Sequence, residues 1–435
     1  MWGRTSGNIY VSRWNGSSFT APLQINPSNV FAYVSSAEGP SIEARGDTVF
    51  VTFFSTPTSA SKIYSIPSYD GGITWQDTVR VDNQSSLIPY TPDVAIGPGG
   101  DPFIAFEVST SMLTTPDHLF SRSMDGGQTF TNEISVTDSA PGEPCECCPP
   151  NIMLKDSLVY VTYRNNVNNI RNFYTAVSTD YGNTFEEIVQ IDNTNWLING
   201  CPTQPADALV TTDSLFAVWM TLINTEPRIT LGALDHTTRT ARSNQVVDYQ
   251  MTGMLTQRNP SIGGNEDTMA VAWEDTRANS NYDCYITFSL TGTNGLGDQI
   301  VRLSDSAVSV NGNQVTPHMD YASGIYHLVY QNAFTNSVIY RTATLSATGF
   351  ENTIHPSMNL AFQNPMVNSR KLQITGHDGR QLTLNVMDLN GNVVWNKKSC
   401  DGEFVLPELI PAVYFISLFS ESKATSYHKL LFLGQ

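Results

Sequence analysis

Four of the six cysteines crowd into two short runs, Cys145-Glu146-Cys147-Cys148-Pro149 and Gly200-Cys201-Pro202. Thiols gathered in this number either close disulfides or, as thiolates, hold a soft metal such as zinc or copper. Composition alone leaves both chemistries open. Cys284 and Cys400 stand apart from these runs and are expected to be free, and the histidines are scattered without ligand spacing.

What positions these groups must be a large folded body. The chain has 435 residues, 40% hydrophobic and 10% aromatic, enough for an extensive core and against general disorder. Charged residues are only 14%, and Lys plus Arg number 23 against 40 Asp plus Glu, a net charge of −17. So acidic a surface repels phosphate backbones, which argues against a nucleic-acid partner. No apolar run reaches the 18 or so residues of a membrane span. The start, Met1-Trp2-Gly3-Arg4, has neither the basic nor the apolar region of a signal peptide. The repeat below suggests why: the expectation is a reading frame that begins inside a repeat and has lost its export signal.

Three segments share one shape. They contain Ser68, Asp70, Gly72, Thr74 and Trp75; Ser123, Asp125, Gly127, Thr129 and Phe130; and Ser178, Asp180, Gly182, Thr184 and Phe185. Their aspartates are 55 residues apart, and the same step finds eroded versions near Asn15, Asp235, Thr291 and Ser346. Each turn follows a short β-branched or aromatic run, which reads as an antiparallel hairpin. Ser and Asp can bond the turn's own backbone, Gly supplies positive φ, and the aromatic ring plugs the core. These residues are therefore expected to be structural. A second series, Pro40, Pro92, Pro150, Pro205, Pro260 and Pro317, opens the strands before each hairpin. The unit is four strands in about 55 residues, the size of a propeller blade.

Residues 1–350 resemble the Asp-box (sialidase, or BNR-repeat) β-propellers. Seven turns but six Pro-led strands predict an all-β propeller of seven blades with the first incomplete. Six blades with a spare hairpin is the alternative. In such a propeller the box turns lie opposite the ligand face, where inner strands start and second strands end. That places Glu38, Tyr90, Cys148, Cys201, Arg258 and His318 at strand starts. Glu107, Arg164, Met220, Glu274, Asp275, Arg277 and Gln331 fall at strand ends. The resemblance implies a sialidase-like site: Arg164, Arg258 and Arg277 clamping a carboxylate, and a nucleophile such as Tyr90 polarised by Glu107 or Glu274. The bland alternative for Glu274, Asp275 and Arg277 is a salt-bridge corner.

Beyond residue 350 the period fails. Residues 351–365 read as a linker and 366–435 as a small β-sandwich of short alternating strands. Asn364-Pro365, Asp388-Leu389-Asn390-Gly391 and Leu409-Ile410-Pro411-Ala412-Val413-Tyr414-Phe415 resemble the type A C-terminal sorting domain of type IX secretion. That resemblance implies a Bacteroidota protein, exported through the type IX machinery and displayed or released at the surface. Export favours disulfides over metal for the cysteines. Because Cys148 and Cys201 occupy equivalent positions in adjacent repeats, they are expected to bridge, with Cys145 and Cys147 left for a second bond. The resulting reading is a monomeric exported propeller, without cofactor, that binds or hydrolyses glycans or glycoproteins. Its rival is a non-catalytic adhesion propeller on the cell surface.

Overall fold

A computed structural model describes residues 1–435 except 16–17, 36–37, 84–85, 252–254, 279, 305–311, 345–358, 362–370, 376–380, 389–392, 402, 408, 410–411, 421–422 and 433–435. The eroded box near Ser346, the pair Asn364-Pro365, and parts of the other sorting-domain motifs lie outside the described residues. The chain divides into two units, Met1–Ala347 and Thr348–Gln435.

The first unit is a seven-bladed β-propeller. Blade 1 pairs Trp2–Gly3, Ile9–Val11 and Leu23–Gln24, and blade 7 pairs Gln314–Ala322, Ile325–Asn332 and Ser337–Thr344. Between them stand five sheets, each with four strands in chain order; blade 4 adds Glu143–Pro144 as a fifth. Blade 3 is typical, running through Ile88–Ile96, Pro102–Ser109, Asp117–Arg122 and Ile134–Ser135. Ile9–Val11 pairs within its own sheet and not with blade 7, so the six-blade closure does not occur. Ring packing of Phe19 on Tyr340, centroids 4.9 Å apart, joins the first sheet to the last.

The core lies between blades because the central strands are apolar on both faces. From Pro102 to Ser109 every residue is buried. Ile104, Phe106 and Val108 pack towards Phe50 and Phe54 of blade 2, whereas Phe103 and Ala105 pack towards Val159 and Val161 of blade 4. The same alternation continues through the later blades, with Trp219 and Trp273 fully buried. Acidic side chains also tie the inner strands: Asp93 accepts from Ser41 Oγ (2.6 Å) and from the backbone N–H of Ile152 (2.9 Å). Asp207 does likewise for Ser261 Oγ (2.7 Å) and Ile262 N–H (2.9 Å).

The box turns are built alike. Ser123 Oγ donates to Asp125 (2.7 Å) and accepts the Gly127 N–H (2.8 Å). Asp125 accepts the N–H groups of Gln128 and Thr129 and the Thr129 hydroxyl. The turns at Asp70 and Asp180 repeat this network. Hydrogen bonds, led by that of Thr74, hold the Asp70 carboxyl at about 2. Gly127 has φ +88°, and a Cβ there would lie 2.4 Å from Phe50 in blade 2, so the box also locks neighbouring blades.

The second unit contains two antiparallel sheets. One pairs Asn359–Ala361, Lys371–Thr375 and Glu403–Val405; the other pairs Val393–Ser399, Leu382–Met387, Ala412–Ser420 and Lys423–Phe432. Leu372, Leu384, Val386, Phe404 and Ile416 form its core. Asn359–Ala361 falls inside the expected linker 351–365, so the second unit starts earlier than the pattern suggested. No helix among the described residues is long and apolar enough to cross a membrane.

Candidate functional site

At the end of the blades opposite the boxes, the inner strands begin irregularly. The pairing register shifts between Tyr90 and Asp93, between Arg258 and Ser261, and between Val315 and His318. In each case the residue before proline takes positive φ: Thr91 (43°), Asn259 (49°) and Thr316 (52°). That conformation is costly for a side-chain-bearing residue, and more so before proline. Such bulges re-aim side chains, and they recur next to sites.

Beside the first bulge is a cavity of about 230 Å³ whose lining includes Tyr33, Glu38, Phe54, Tyr90, Glu107 and Glu146. Tyr33 stacks on Phe54 (4.8 Å between centroids), and Phe54 meets Tyr90 edge to face (6.1 Å), giving one wall an aromatic surface. Tyr90 and Glu107 are direct cross-strand partners, so of the six residues expected to do chemistry these two share the cavity. Glu107 is 1% exposed, and its Oε1 and the neighbouring Thr91 Oγ1 have no hydrogen-bond partner. Burial, reinforced by the negative charges of Cys145 and Glu38, raises the Glu107 carboxyl well above its usual range, favouring its protonated form. Burial likewise raises Glu38, and raises the Tyr90 phenol with Glu107 adding to the effect. With burial favouring the protonated form of Glu107, it is a poor base for Tyr90, and the tyrosine is not set up as an activated nucleophile. It is a proton donor that the pair offers. Across the cavity Glu146 is held as a carboxylate by two contacts from Arg171, at 2.6 and 3.0 Å.

The remaining four residues are engaged elsewhere. Arg164 is fully buried and donates to the carbonyls of Arg171 (2.9 Å) and Met220 (2.7 Å). Arg258 pairs with the buried Glu274, which also accepts from Asn259 (3.1 Å), and its guanidinium lies 3.8 Å from the Tyr282 ring centroid. Arg277 pairs with Asp275 and Asp248, forming the salt-bridge corner. Each guanidinium is directed to partners of its own, so the three do not make a carboxylate clamp.

The cysteines converge at the cavity edge. Glu143–Pro144 pairs with Asn165–Asn166, and the Cys145 N–H donates to the Arg164 carbonyl (2.8 Å), folding the loop back onto the rim. The disulfide joins Cys147 to Cys201, with Cα atoms 6.3 Å apart, rather than the expected Cys148. The repeat argument misplaced the bond because this loop does not run as a plain strand. Cys147 turns towards Thr203, while Cys148 is buried with its Sγ 3.9 Å from that of Cys201. Cys145 Sγ is 3.6 Å from Cys201 Sγ and receives a hydrogen bond from Arg171. Cys284 and Cys400 are free.

Tyr33, Phe54 and Arg171 were not anticipated. Phe54 ends a second strand just as Glu107 does, so the repeat register marks it. Tyr33 lies in a non-periodic loop and carries no such signal.

No protein-family model and no curated protein matches the chain. Among solved structures it is similar to a protein of unknown function from Dyadobacter fermentans. The identity is 10% and the TM-score 0.48, covering 73% of this chain and 95% of that one. It is also similar to an α-L-arabinanase from Penicillium chrysogenum complexed with arabinobiose (14% identity, 78% and 98% covered, TM-score 0.46). A polysaccharide lyase described as an ulvan lyase is similar too (11% identity, 72% and 84% covered, TM-score 0.44). At these identities and TM-scores no chemistry carries over from any of them.

Proposed function

We propose that the rim cavity receives the end of a glycan and that Glu107 donates the proton for cleaving its terminal glycosidic bond. The observation that carries this reading is the buried Glu107 carboxyl, whose Oε1 has no partner, beside an aromatic wall in a cavity it shares with Glu38 and Glu146. At about 230 Å³ the cavity is smaller than the roughly 300–1,000 Å³ of drug-sized pockets, which suits a chain end. Three glutamates line it and Arg164, Arg258 and Arg277 do not, so a neutral sugar fits better than a sialic acid. This narrows the sialidase-like reading of the Asp-box propeller to an uncharged substrate.

The non-catalytic adhesion reading draws support from a separate observation: Glu146, the opposing carboxylate, is already committed to Arg171. Export through a type IX sorting domain remains part of the proposal, resting on the sandwich at 366–435 and its Val413-Tyr414-Phe415 strand.

The test is release from a panel of fluorogenic neutral glycosides and one sialoside by the full chain, alongside glycan-array binding. Cleavage of a neutral glycoside, reduced by about 100-fold or more in Glu107→Gln, supports the proposal. Array binding without release leaves the adhesion propeller. Neither binding nor release removes the glycan reading altogether.

A further inference from the structure

Within the propeller the strongest unexplained feature is a buried charge that makes no ion pair. Arg164 is wholly buried, makes no ion pair, and has an unpartnered Nε; its neighbours are two carbonyls and the rings of Phe173 and Trp196. Burying a guanidinium among neutral groups is strongly unfavourable. The groups within electrostatic reach are Cys148, Cys145 and the buried Asp192, whose Oδ2 is itself unpartnered. A second cation, Arg171, donates to Cys145 Sγ at 3.1 Å. Two arginines thus face a knot of sulfur.

The geometry of that knot is specific. The four Sγ atoms of Cys145, Cys147, Cys148 and Cys201 all lie within 4.8 Å of one another. In a tetrahedral zinc–thiolate site with bonds of about 2.3 Å, neighbouring sulfurs are about 3.8 Å apart. Cys145–Cys201 at 3.6 Å and Cys148–Cys201 at 3.9 Å match that edge. The elements supplying the ligands are fixed from both sides: the loop before blade 4 is pinned to Arg164, and Cys201 enters from the loop before blade 5.

We propose that, when the Cys147–Cys201 bond is open, the four thiolates of Cys145, Cys147, Cys148 and Cys201 bind one zinc ion at the cavity edge. Four thiolates around a divalent ion carry two net negative charges, which gives the buried Arg164 a counter-charge and adds to the one Arg171 already has in Glu146. The site is independent of any glycan chemistry, and no substrate need reach the metal because all four coordination positions are filled by protein.

The experiment uses the full chain reduced with a phosphine under anaerobic conditions, then loaded with zinc chloride and desalted. About one zinc per chain by mass spectrometry is expected, with an X-ray absorption spectrum showing sulfur alone at about 2.3 Å. Cys145→Ser and Cys148→Ser, which leave the Cys147–Cys201 pair intact, each weaken zinc binding on the order of 100-fold or more. Cys400→Ser leaves it unchanged. If a cysteine variant fails to fold, the absorption spectrum of the wild-type chain still decides the ligand set. Failure of the reduced chain to retain zinc overturns the proposal, as does a shell containing nitrogen or oxygen, or full retention by Cys148→Ser.

Discussion

The third strand of blade 3, Asp117–Arg122, has His118 near its start and Ser123 just past its end, and its two ends are built on opposite terms. At the Ser123 end the serine hydroxyl and the aspartate carboxylate are bonded within the turn, and Gly127 fits against the neighbouring blade with no room to spare. At the His118 end polar atoms are buried unpaired: both ring nitrogens of His118, Oε1 of its cross-strand partner Glu107, and Nε of Arg164. The box end holds the ring closed. The rim end tolerates unmet hydrogen bonds and strained bulges, costs that a fold meets where a ligand or metal is to be held.

The sharpest way to break this contrast is to disturb the closed end. Gly127→Ala places a Cβ 2.4 Å from Phe50 Cε1 at φ +88°. Left-handed strain and overpacking together are expected to cost about 4 kcal/mol. Urea unfolding measures this, and glycan binding by the variant that remains folded should not change. A loss of binding without loss of stability would show that the box end reaches the site.

The open end should reveal itself through pH. Burial lowers the His118 imidazole to about 3, so the folded protein keeps it neutral while the unfolded chain takes up a proton below pH 6.5. Its contribution is therefore complete above pH 6.5 and is lost as the pH falls towards 3. His118→Phe keeps a ring against Tyr163, 5.1 Å away in the native protein, and removes the titration. Between pH 7 and pH 4 the variant should lose about 3 kcal/mol less stability than the wild type. Parallel pH profiles would mean that His118 is solvated in the native state.

The same contrast explains what could be read in the sequence. The closed end is legible because local chemistry repeats there: Ser, Asp, Gly and Thr at fixed offsets make one turn, and a period of 55 residues makes seven blades. The rim is assembled from residues that repeat in position but not in type, such as Phe54, Glu107 and Arg164. Position placed Tyr90 beside Glu107 and the cysteines near one another. It did not reveal which arginines would be spent on carbonyls and acids, because Met220, Asp248 and Tyr282 reach them through tertiary packing. Nor did it give the disulfide partner, since one turn of loop exchanges Cys147 for Cys148.

The smallest effect tests whether the box is as structural as it looks. Ser123 Oγ accepts the N–H of Gly127, and Ser123→Ala strands that buried donor and removes the Ser123–Asp125 bonds while leaving those of Asp125 to Gln128 and Thr129. The expected cost is about 1–2 kcal/mol. Blade 5 has already made this change: the position two residues before Asp235 is Ala233, and there Asp235 Oδ1 still accepts the N–H groups of Thr237 and Thr238 at 2.9 and 2.8 Å. A turn can thus survive on its aspartate alone, at reduced stability. Denaturant melts of Ser123→Ala should show the cost with rim binding unchanged. A variant as stable as the wild type would mean that the serine does nothing the aspartate does not already do.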